Sequence, residues 1–312
     1  MKALALEAFD VPAAVIDVPD PQAGPGEVLV RVRASSVNAY DVSVAAGYMQ
    51  KYMPYEFPVV IGNDVAGTVE ALGTGVEGFS IGDRVFGTLG QKSAIHDGSI
   101  AELANPQAGS IVVAPEGLSD ADAGTLGVAG ATAMNAVEAV DPGAGARVLI
   151  VGATGGVGTF AIQLAALRDA HVIASVRPGD EGFVADLGAA ETVDYTGDII
   201  SALRERYPDG IDAVIDAVSR DEGAFAALAG LVRDGGRATS VVGGAGESTT
   251  LGGVSVSNAG GDPAHLPTLA GLIVQGELRV AVRRTYALAD AAQALQDFAK
   301  EHTLGKLAIS IP

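Results

Sequence analysis

Residues 148–158, Val-Leu-Ile-Val-Gly-Ala-Thr-Gly-Gly-Val-Gly, and the amphipathic residues 159–168 that follow decide the fold of this chain. An apolar strand runs into Gly152, Gly155 and Gly158, which predicts a tight turn between a strand and a helix. Such glycines let the backbone approach a pyrophosphate, and the helix N-terminus supplies unpaired N–H groups and a positive dipole. The pattern favours a dinucleotide site, although a purely structural strand-to-helix turn uses glycine in the same way.

The pattern around this stretch predicts a parallel sheet. Short apolar strands alternate with helical segments between residues 119 and 262, which is typical of strands covered by helices on both faces. The strands are expected at Arg147–Val151, His171–Val176, 192–195, 211–217 and 238–242.

The two ends of the chain have a different character. Residues 1–118 hold short alternating stretches, such as 27–34 and 65–72, separated by turns rich in Gly and Pro, and they predict a β-rich domain. Residues 263–312 suggest helices near 263–275 and 288–302 and a last strand at 306–311. We expect this tail to pair with the first domain. The predicted domains are therefore 1–118 with 263–312, and 119–262.

Composition excludes several classes of protein. With 38 acidic and 19 basic residues among 312, the net charge of −19 disfavours a nucleic-acid partner. There is no cysteine and no close pair among the four histidines, so no metal site is expected. The one uncharged run of membrane length, residues 148–167, contains four glycines between residues 152 and 158, and we expect no membrane association. The N-terminal residues lack the apolar stretch of a secretory signal, which predicts a cytoplasmic protein.

The cofactor preference is predicted from the tip of the second strand. The strand His171–Val176 is followed by Arg177, and no acidic residue stands at its tip to accept from a ribose hydroxyl. Ser175 and Arg177 offer donors that suit a 2′-phosphate, which favours NADP(H) over NAD(H). Arg177 as a solvated loop residue is the alternative, and Asp180 and Glu181 would repel a phosphate.

Several motifs together resemble a known family. They are Gly-Asn-Asp-Val-Ala-Gly-Thr-Val-Glu-Ala-Leu-Gly at 62–73, Gly-Asp-Arg-Val-Phe-Gly at 82–87, Val-Asn-Ala-Tyr-Asp at 37–41, the glycine loop, and Gly-Lys-Leu-Ala-Ile at 305–309. The chain resembles the zinc-independent quinone oxidoreductase branch of the medium-chain dehydrogenase/reductase superfamily. The resemblance implies an α/β protein with a GroES-like β-rich catalytic domain and a Rossmann-type doubly wound parallel sheet domain. It also implies NADPH-dependent hydride transfer to a quinone or an α,β-unsaturated carbonyl compound, an enone or alkenal.

The sequence departs from the zinc enzymes of this superfamily. Asn63 stands where those enzymes have a histidine ligand, and the cysteine ligands are absent. Without a Lewis acid the substrate must already be electrophilic, as quinones and α,β-unsaturated carbonyls are. Atypical short-chain reductases have a similar glycine loop, but theirs opens the chain, and no Tyr-x-x-x-Lys pair is present here.

The resemblance also implies site residues. Asn38, Asp41 and Tyr48 are the catalytic candidates, although Asn38 and Asp41 have the spacing of a capping box for a helix at 39–46, and Tyr48 could be a core or rim aromatic. Lys306 is either a solvated charge or a cofactor contact. The expected cofactor-binding residues are Thr132, Gly152, Thr154, Gly155, Gly156, Val157, Gly158, Ser175, Arg177, Tyr195, Val218, Gly243, Gly244 and Lys306.

Two further expectations concern partners and an alternative function. Apolar and small residues alternate in residues 249–256, which follow the last parallel strand. In the family such a segment pairs with the same segment of a second copy of the chain across a two-fold axis, which predicts a homodimer. The expected partner in solution is a small-molecule substrate. The alternative function is a non-catalytic nucleotide-binding protein with a structural or sensing role on the same fold.

Overall fold

The computed structural model describes residues 1–312 and divides into two compact units. Unit 1 comprises Met1–Val128 and Pro263–Pro312, and unit 2 comprises Ala129–Asp262. The first division lies after Val128 rather than after residue 118, because the start of a long helix packs within unit 1. A Cβ on Gly124 would lie 2.6 Å from the backbone of Ala34, so glycine lets this helix approach a strand closely.

The secondary-structure elements follow in chain order. The N-terminal part contains β1 (Lys2–Leu6), β2 (Ala14–Asp17), β3 (Val28–Val37), α1 (Ala39–Ala45), β4 (Val59–Val60), β5 (Asp64–Leu72), β6 (Arg84–Thr88), β7 (Leu103–Ala104), β8 (Ile111–Val113) and α2 (Asp120–Val140). The middle contains β9 (Arg147–Val151), α3 (Gly156–Ala166), β10 (His171–Val176), α4 (Glu181–Ala185), β11 (Glu191–Asp194), α5 (Ile199–Arg206), β12 (Ile211–Asp216), α6 (Glu222–Ala229), β13 (Val232–Ser240), β14 (Thr250–Leu251) and β15 (Val254–Asn258). The tail contains α7 (Leu266–Val274), β16 (Val282–Ala287), α8 (Ala291–Lys300) and β17 (Lys306–Ser310). Short 3₁₀ turns lie at Tyr48–Lys51, Ala108–Ser110, Pro263–His265 and Leu288–Asp290.

Unit 1 is built on two sheets. A small sheet has the order β2-β1-β4, and a larger one has the order β16-β17-β3-β5-β6-β8, with β7 beside β3. Strand β17 pairs antiparallel with β3, with Leu307 opposite Val37, which confirms that the tail returns to the first part of the chain. Along β3 the valines at 28, 30 and 32 are buried while Arg31 and Arg33 are exposed, as the two-residue period of a strand requires.

Unit 2 is the predicted parallel sheet. Its order is β11-β10-β9-β12-β13-β15-β14, and only β14 runs antiparallel to its neighbour. The order reverses between β9 and β12, and ligands of open α/β sheets bind at the carboxyl ends of strands at such a point. Together with the β-rich unit 1, this confirms the predicted α/β fold class. Strand β13 begins six residues before its expected start at 238. Its first half contains the charged residues Arg233 and Asp234 and therefore does not form an apolar run.

The structure contains eight α-helices, α1–α8. None of them combines the length and apolar character that crossing a bilayer requires.

Candidate functional site

The glycine loop follows β9 at the reversal point of the sheet in unit 2. Gly152 has a φ of +79°, which disfavours other residues, and a Cβ on Gly158 would lie 2.2 Å from the Gly152 carbonyl oxygen. Gly155 precedes the first turn of α3, which begins at Gly156. Both the turn and the close approach therefore require glycine. The N–H groups of the first turn of α3, which have no partner within the helix, lie where the glycine loop ends.

Asp216 lies beside this loop and was missed by sequence reasoning. It ends β12 and is fully buried; its Oδ1 accepts from the N–H groups of Val218 and Ser219 at 2.9 and 3.1 Å. Its Oδ2 is buried without a hydrogen-bond partner. A buried carboxylate oxygen needs a donor, and a sugar hydroxyl supplies one. A dinucleotide thus fits the residues at this edge. The signal in the sequence was an acidic residue at the end of an apolar strand.

The residues expected at the adenosine end lie at neighbouring strand tips. Arg177 follows β10 with a half-exposed side chain, and its Nε is 3.8 Å from Asp180 Oδ2. Tyr195 follows β11, is exposed, and its N–H donates to Val176 at 3.1 Å. Ser175 is only 1% exposed, and its Oγ accepts from the Gly152 N–H at 3.1 Å. In the structure the contact of Ser175 is therefore with the glycine loop.

The other expected cofactor residues in unit 2 also lie near strand ends. Gly243 has a φ of +86°, and a Cβ on Gly244 would lie 2.2 Å from the Ser219 carbonyl oxygen. Val218 is exposed, and its side chain would lie 2.8 Å from a Cβ on Gly152. Thr132 is buried on α2 beside Gly261. Because residue 244 has no side chain, the loop after β13 can pack directly against the segment that follows β12. Thr154 is buried within the glycine loop, and Val157 lies in the first turn of α3.

Unit 1 contains a buried polar cluster around Asp64, the first residue of β5. Its Oδ1 accepts from the Val128 N–H at 2.6 Å. Its Oδ2 accepts from Asn38 Nδ2 at 2.8 Å, from Lys306 Nζ at 3.2 Å and from the hydroxyl of Ser36. All these side chains are buried. The cluster explains why β3, whose apolar and exposed residues alternate, ends in buried serines.

Lys306 is held inside this cluster. It is 2% exposed, and its Nζ also donates to Asn38 Oδ1 at 2.6 Å. The interpretation of Lys306 as a solvated charge is therefore wrong. Because Asn38 donates to Asp64 and accepts from Lys306, both ends of its side-chain amide are engaged within the cluster.

Asp41 adds a second buried carboxyl. It lies in the first turn of α1, is 1% exposed, and its Oδ2 accepts from the Asn38 N–H at 2.7 Å, which confirms the helix-capping interpretation. Burial raises the pKa of Asp41 to about 7, and the charge of Asp64 adds to this, while the Asn38 N–H and Lys306 oppose it. This carboxyl therefore titrates near neutral pH.

Asp41 also lines a cavity of unit 1. The cavity is bordered by Tyr40, Asp41, Asn63, Leu89, Gln91 and Lys92, among others. Burial raises the pKa of the Tyr40 hydroxyl, and the charge of Asp41 adds to the effect. Sequence reasoning did not identify Tyr40, although it lies within the motif at 37–41, or Lys92, which lies in no motif. Tyr48 is 69% exposed on the 3₁₀ turn after α1 and is not among the lining residues.

Family models match most of the chain. An alcohol dehydrogenase GroES-like domain matches residues 24–161, and a zinc-binding dehydrogenase domain matches residues 187–309. The chain belongs to the medium-chain dehydrogenase/reductase superfamily. Within that superfamily it is quinone oxidoreductase-like, as predicted.

Individual relatives agree with this membership. The chain is 35% identical over 206 residues to a chloroplast envelope quinone oxidoreductase homolog of Arabidopsis thaliana, covering 64% of this chain and 62% of that protein. It is 34% identical over 212 residues to the human mitochondrial NAD(P)H oxidoreductase RTN4IP1, covering 62% and 52%. The alignments thus span less than two thirds of these relatives. The solved quinone oxidoreductase of Coxiella burnetii superposes with a TM-score of 0.85 at 27% identity, covering 100% of this chain and 99% of that one.

The second matching family is named for zinc binding. No group of three or more His, Asp or Glu side chains is arranged to hold a metal ion, and the sequence has no cysteine. Asn63, at the position of the family's histidine ligand, has its Oδ1 bound by the Leu89 N–H at 3.2 Å. The Asn63 side chain is therefore engaged with the backbone immediately after β6.

Proposed function

We propose that this chain is an NADPH-dependent reductase that transfers hydride to a quinone or an α,β-unsaturated carbonyl compound and needs no zinc. The observation that carries the proposal is the glycine loop, whose close contact between Gly152 and Gly158 presents the start of α3 to a pyrophosphate. The names of the relatives, quinone oxidoreductase and NAD(P)H oxidoreductase, support the same reaction class. A cytoplasmic location is part of the proposal, whereas relatives are named chloroplastic or mitochondrial.

The residues of unit 2 would hold the cofactor by distinct contacts. The N–H groups at the start of α3 bind the pyrophosphate, and Asp216 Oδ2 accepts from a ribose hydroxyl. Arg177 pairs with the 2′-phosphate, and Tyr195 flanks the adenosine. A bound reduced nicotinamide supplies the hydride. Ser175 keeps the loop in place through Gly152.

The residues of unit 1 would serve the substrate. The cavity is lined by Asp41, Tyr40 and Lys92, and it offers the Tyr40 hydroxyl and the positive charge of Lys92 to an oxygen on which negative charge develops. Asn38, bound on both sides within the cluster, positions its neighbours. Tyr48 is the exposed hydroxyl that we propose for the substrate side of the site.

The direct test follows NADPH absorbance in the presence of quinones, 2-alkenals and enones, before and after exhaustive treatment with EDTA. We expect turnover with several of these acceptors, unchanged by EDTA, because Asn63 and the absent cysteines leave zinc without its usual ligands. If none of the acceptors led to NADPH oxidation, the alternative function, a non-catalytic nucleotide-binding protein, would be favoured. Activity lost to EDTA and restored by zinc would contradict the zinc-independent mechanism.

Cofactor choice gives a second prediction. Arg177→Ala should raise the KM for NADPH about tenfold and leave that for NADH nearly unchanged, because one charge-assisted hydrogen bond contributes about 1.5 kcal/mol when partly exposed. Steady-state kinetics with each cofactor measure the effect. The matched control is Arg233→Ala, whose side chain pairs with Asp212 at the opposite end of the sheet. Equal changes for both cofactors would assign Arg177 to the solvated loop.

The dimer remains a proposal based on an edge strand. Strand β14 pairs with β15 on one side and ends the sheet on the other. Exposed strand edges are commonly covered by a second copy. Light scattering at micromolar concentration should therefore give twice the mass of 31.2 kDa. A monomeric mass at that concentration would count against the proposal.

A further inference from the structure

The buried charges around Asn38 in unit 1 do not balance. Asp41, Asp64 and Lys306 are all buried, and they comprise two carboxyl groups and a single ammonium group. Lys306 contacts Asp64 directly, and Asn38 links that pair to Asp41 through its backbone N–H. An isolated buried carboxylate is unfavourable, so one of the two carboxyls favours its protonated form. Asp64 has three charged or polar side-chain donors, which leaves the proton on Asp41.

The other charged and titratable groups around Asp41 do not offset this imbalance. On the cavity side, Lys92 is bound to Glu27 and Asp97. On the adjoining helix α8, Asp297 is bound to Tyr286 and Arg284. The remaining groups near α1 are neutral or exposed: Tyr40, Tyr48, Lys51, Tyr55 and Lys300.

Asp41 also borders the cavity that is proposed above for the substrate. It lines the cavity that holds Tyr40, Asn63 and Lys92. One carboxyl oxygen, Oδ2, is bound by the Asn38 N–H. A protonated carboxyl at the wall of a substrate cavity has the geometry of a general acid.

We propose that Asp41 stores a proton and delivers it to the substrate after hydride transfer. The proposal rests on the reductase function given above and adds the proton donor. A bound reduced nicotinamide would supply the hydride and be oxidised as its own C–H bond breaks. The hydride forms a new C–H bond at the β-carbon of an α,β-unsaturated carbonyl, and the C=C π bond breaks. The electron pair moves to the carbonyl oxygen as an enolate. The O–H bond of Asp41 then breaks, and the enolate C=C electron pair bonds its proton at the α-carbon while the C=O bond re-forms. The Asp41 carboxylate regains a proton from solvent.

The two substrate classes should depend on Asp41 to different extents. Protonation of an enolate at carbon is slow and benefits from a positioned acid, which typically contributes about 10²–10⁴-fold. A quinone instead yields a hydroquinone anion whose oxygen takes a proton rapidly from water. The protein thus uses its stored proton for enones and alkenals.

The test compares Asp41→Asn with the wild-type protein on both substrate classes. We expect kcat for an enone to fall at least about 100-fold and kcat for a quinone to fall less than about threefold, with the KM for NADPH unchanged. Asparagine keeps an oxygen that accepts from the Asn38 N–H, so the cap of α1 is retained. Asp297→Asn, at a carboxylate outside the cavity, is the matched control and should leave both rates unchanged. Equal losses for both substrates, or no loss for either, would overturn the delivery step.

A readout without turnover tests the stored proton separately. Infrared difference spectra between pH 6 and pH 8 should show the carbonyl band of a protonated carboxylic acid in the wild-type protein but not in Asp41→Asn, because the pKa of Asp41 is about 7. Labelling aspartate with ¹³C should shift this band, which identifies it if the variant does not fold. Absence of the band would overturn proton storage. A wild-type protein that shows the band but reduces no acceptor would overturn the proposed function and the delivery step while keeping the storage.

Discussion

Lys306→Met is expected to destabilise the protein by about 3–5 kcal/mol, the usual effect of removing one partner from a buried ion pair. The methionine fills a similar volume but leaves the Asp64 carboxylate without its cation and Asn38 Oδ1 without its donor. Urea unfolding, together with hydrogen exchange of the amides of β3 and β17, measures the loss where it arises. Lys300→Met, at an exposed lysine in the last turn of α8, is the control and should change stability by less than about 0.5 kcal/mol.

A double variant separates the charge from the packing. Asp64→Asn removes the negative charge and keeps oxygen and nitrogen atoms in nearly the same shape. If the unpaired charge causes the loss, Lys306→Met with Asp64→Asn should be more stable than Lys306→Met alone, since the two residues are in contact and their effects are not additive. A double variant that loses the sum of both single effects would show that Lys306 acts only through packing.

The sequence predicts the parts of the fold that depend on short-range patterns. The strands Arg147–Val151 and His171–Val176 were predicted with the bounds that the structure has, because strands buried on both faces are continuous apolar runs. The turn at Gly152 was predictable because a positive φ and a close backbone approach both require glycine. Strand β13 was less predictable, since its polar first half is exposed.

The candidate site was harder to predict because its residues meet only through tertiary structure. Lys306 and Asn38 are 268 positions apart in the chain, and nothing local to Lys306 distinguishes a buried ion pair from a solvated lysine. Asp216 was equally hard to predict, because its burial depends on β9 and β13, the strands on either side of β12. The capping box of Asn38 and Asp41 was visible in the sequence, but the cavity beside Asp41 was not.

Asp41→Asn is expected to make the stability of the folded protein less sensitive to rising pH. The pKa of Asp41 is raised from 3.8 to about 7 by burial, so the folded state binds this proton more tightly than the unfolded state. Below pH 3.8 the carboxyl is protonated in both states and has no effect on stability. Between pH 3.8 and 7 the unfolded state loses the proton first, and stability falls as pH rises. Above pH 7 the loss is constant at about 4 kcal/mol, taking 1.36 kcal/mol for each pH unit between the two pKa values.

Comparing the unfolding free energies of the variant and the wild-type protein at each pH isolates the effect of Asp41, because the other titratable groups are present in both proteins. The stability of Asp41→Asn relative to the wild-type protein should increase by about 3 kcal/mol between pH 5 and pH 8, because asparagine has no proton to lose. Urea unfolding of both proteins in the same buffers gives the difference at each pH. Asp297→Asn is the contrasting control: Tyr286 and Gln293 donate to that carboxylate and lower its pKa, so its ionisation is nearly complete in both states above pH 5. Its stability difference from the wild-type protein should therefore be flat over this range, and the same flat result for Asp41→Asn would place the Asp41 carboxyl at an ordinary pKa.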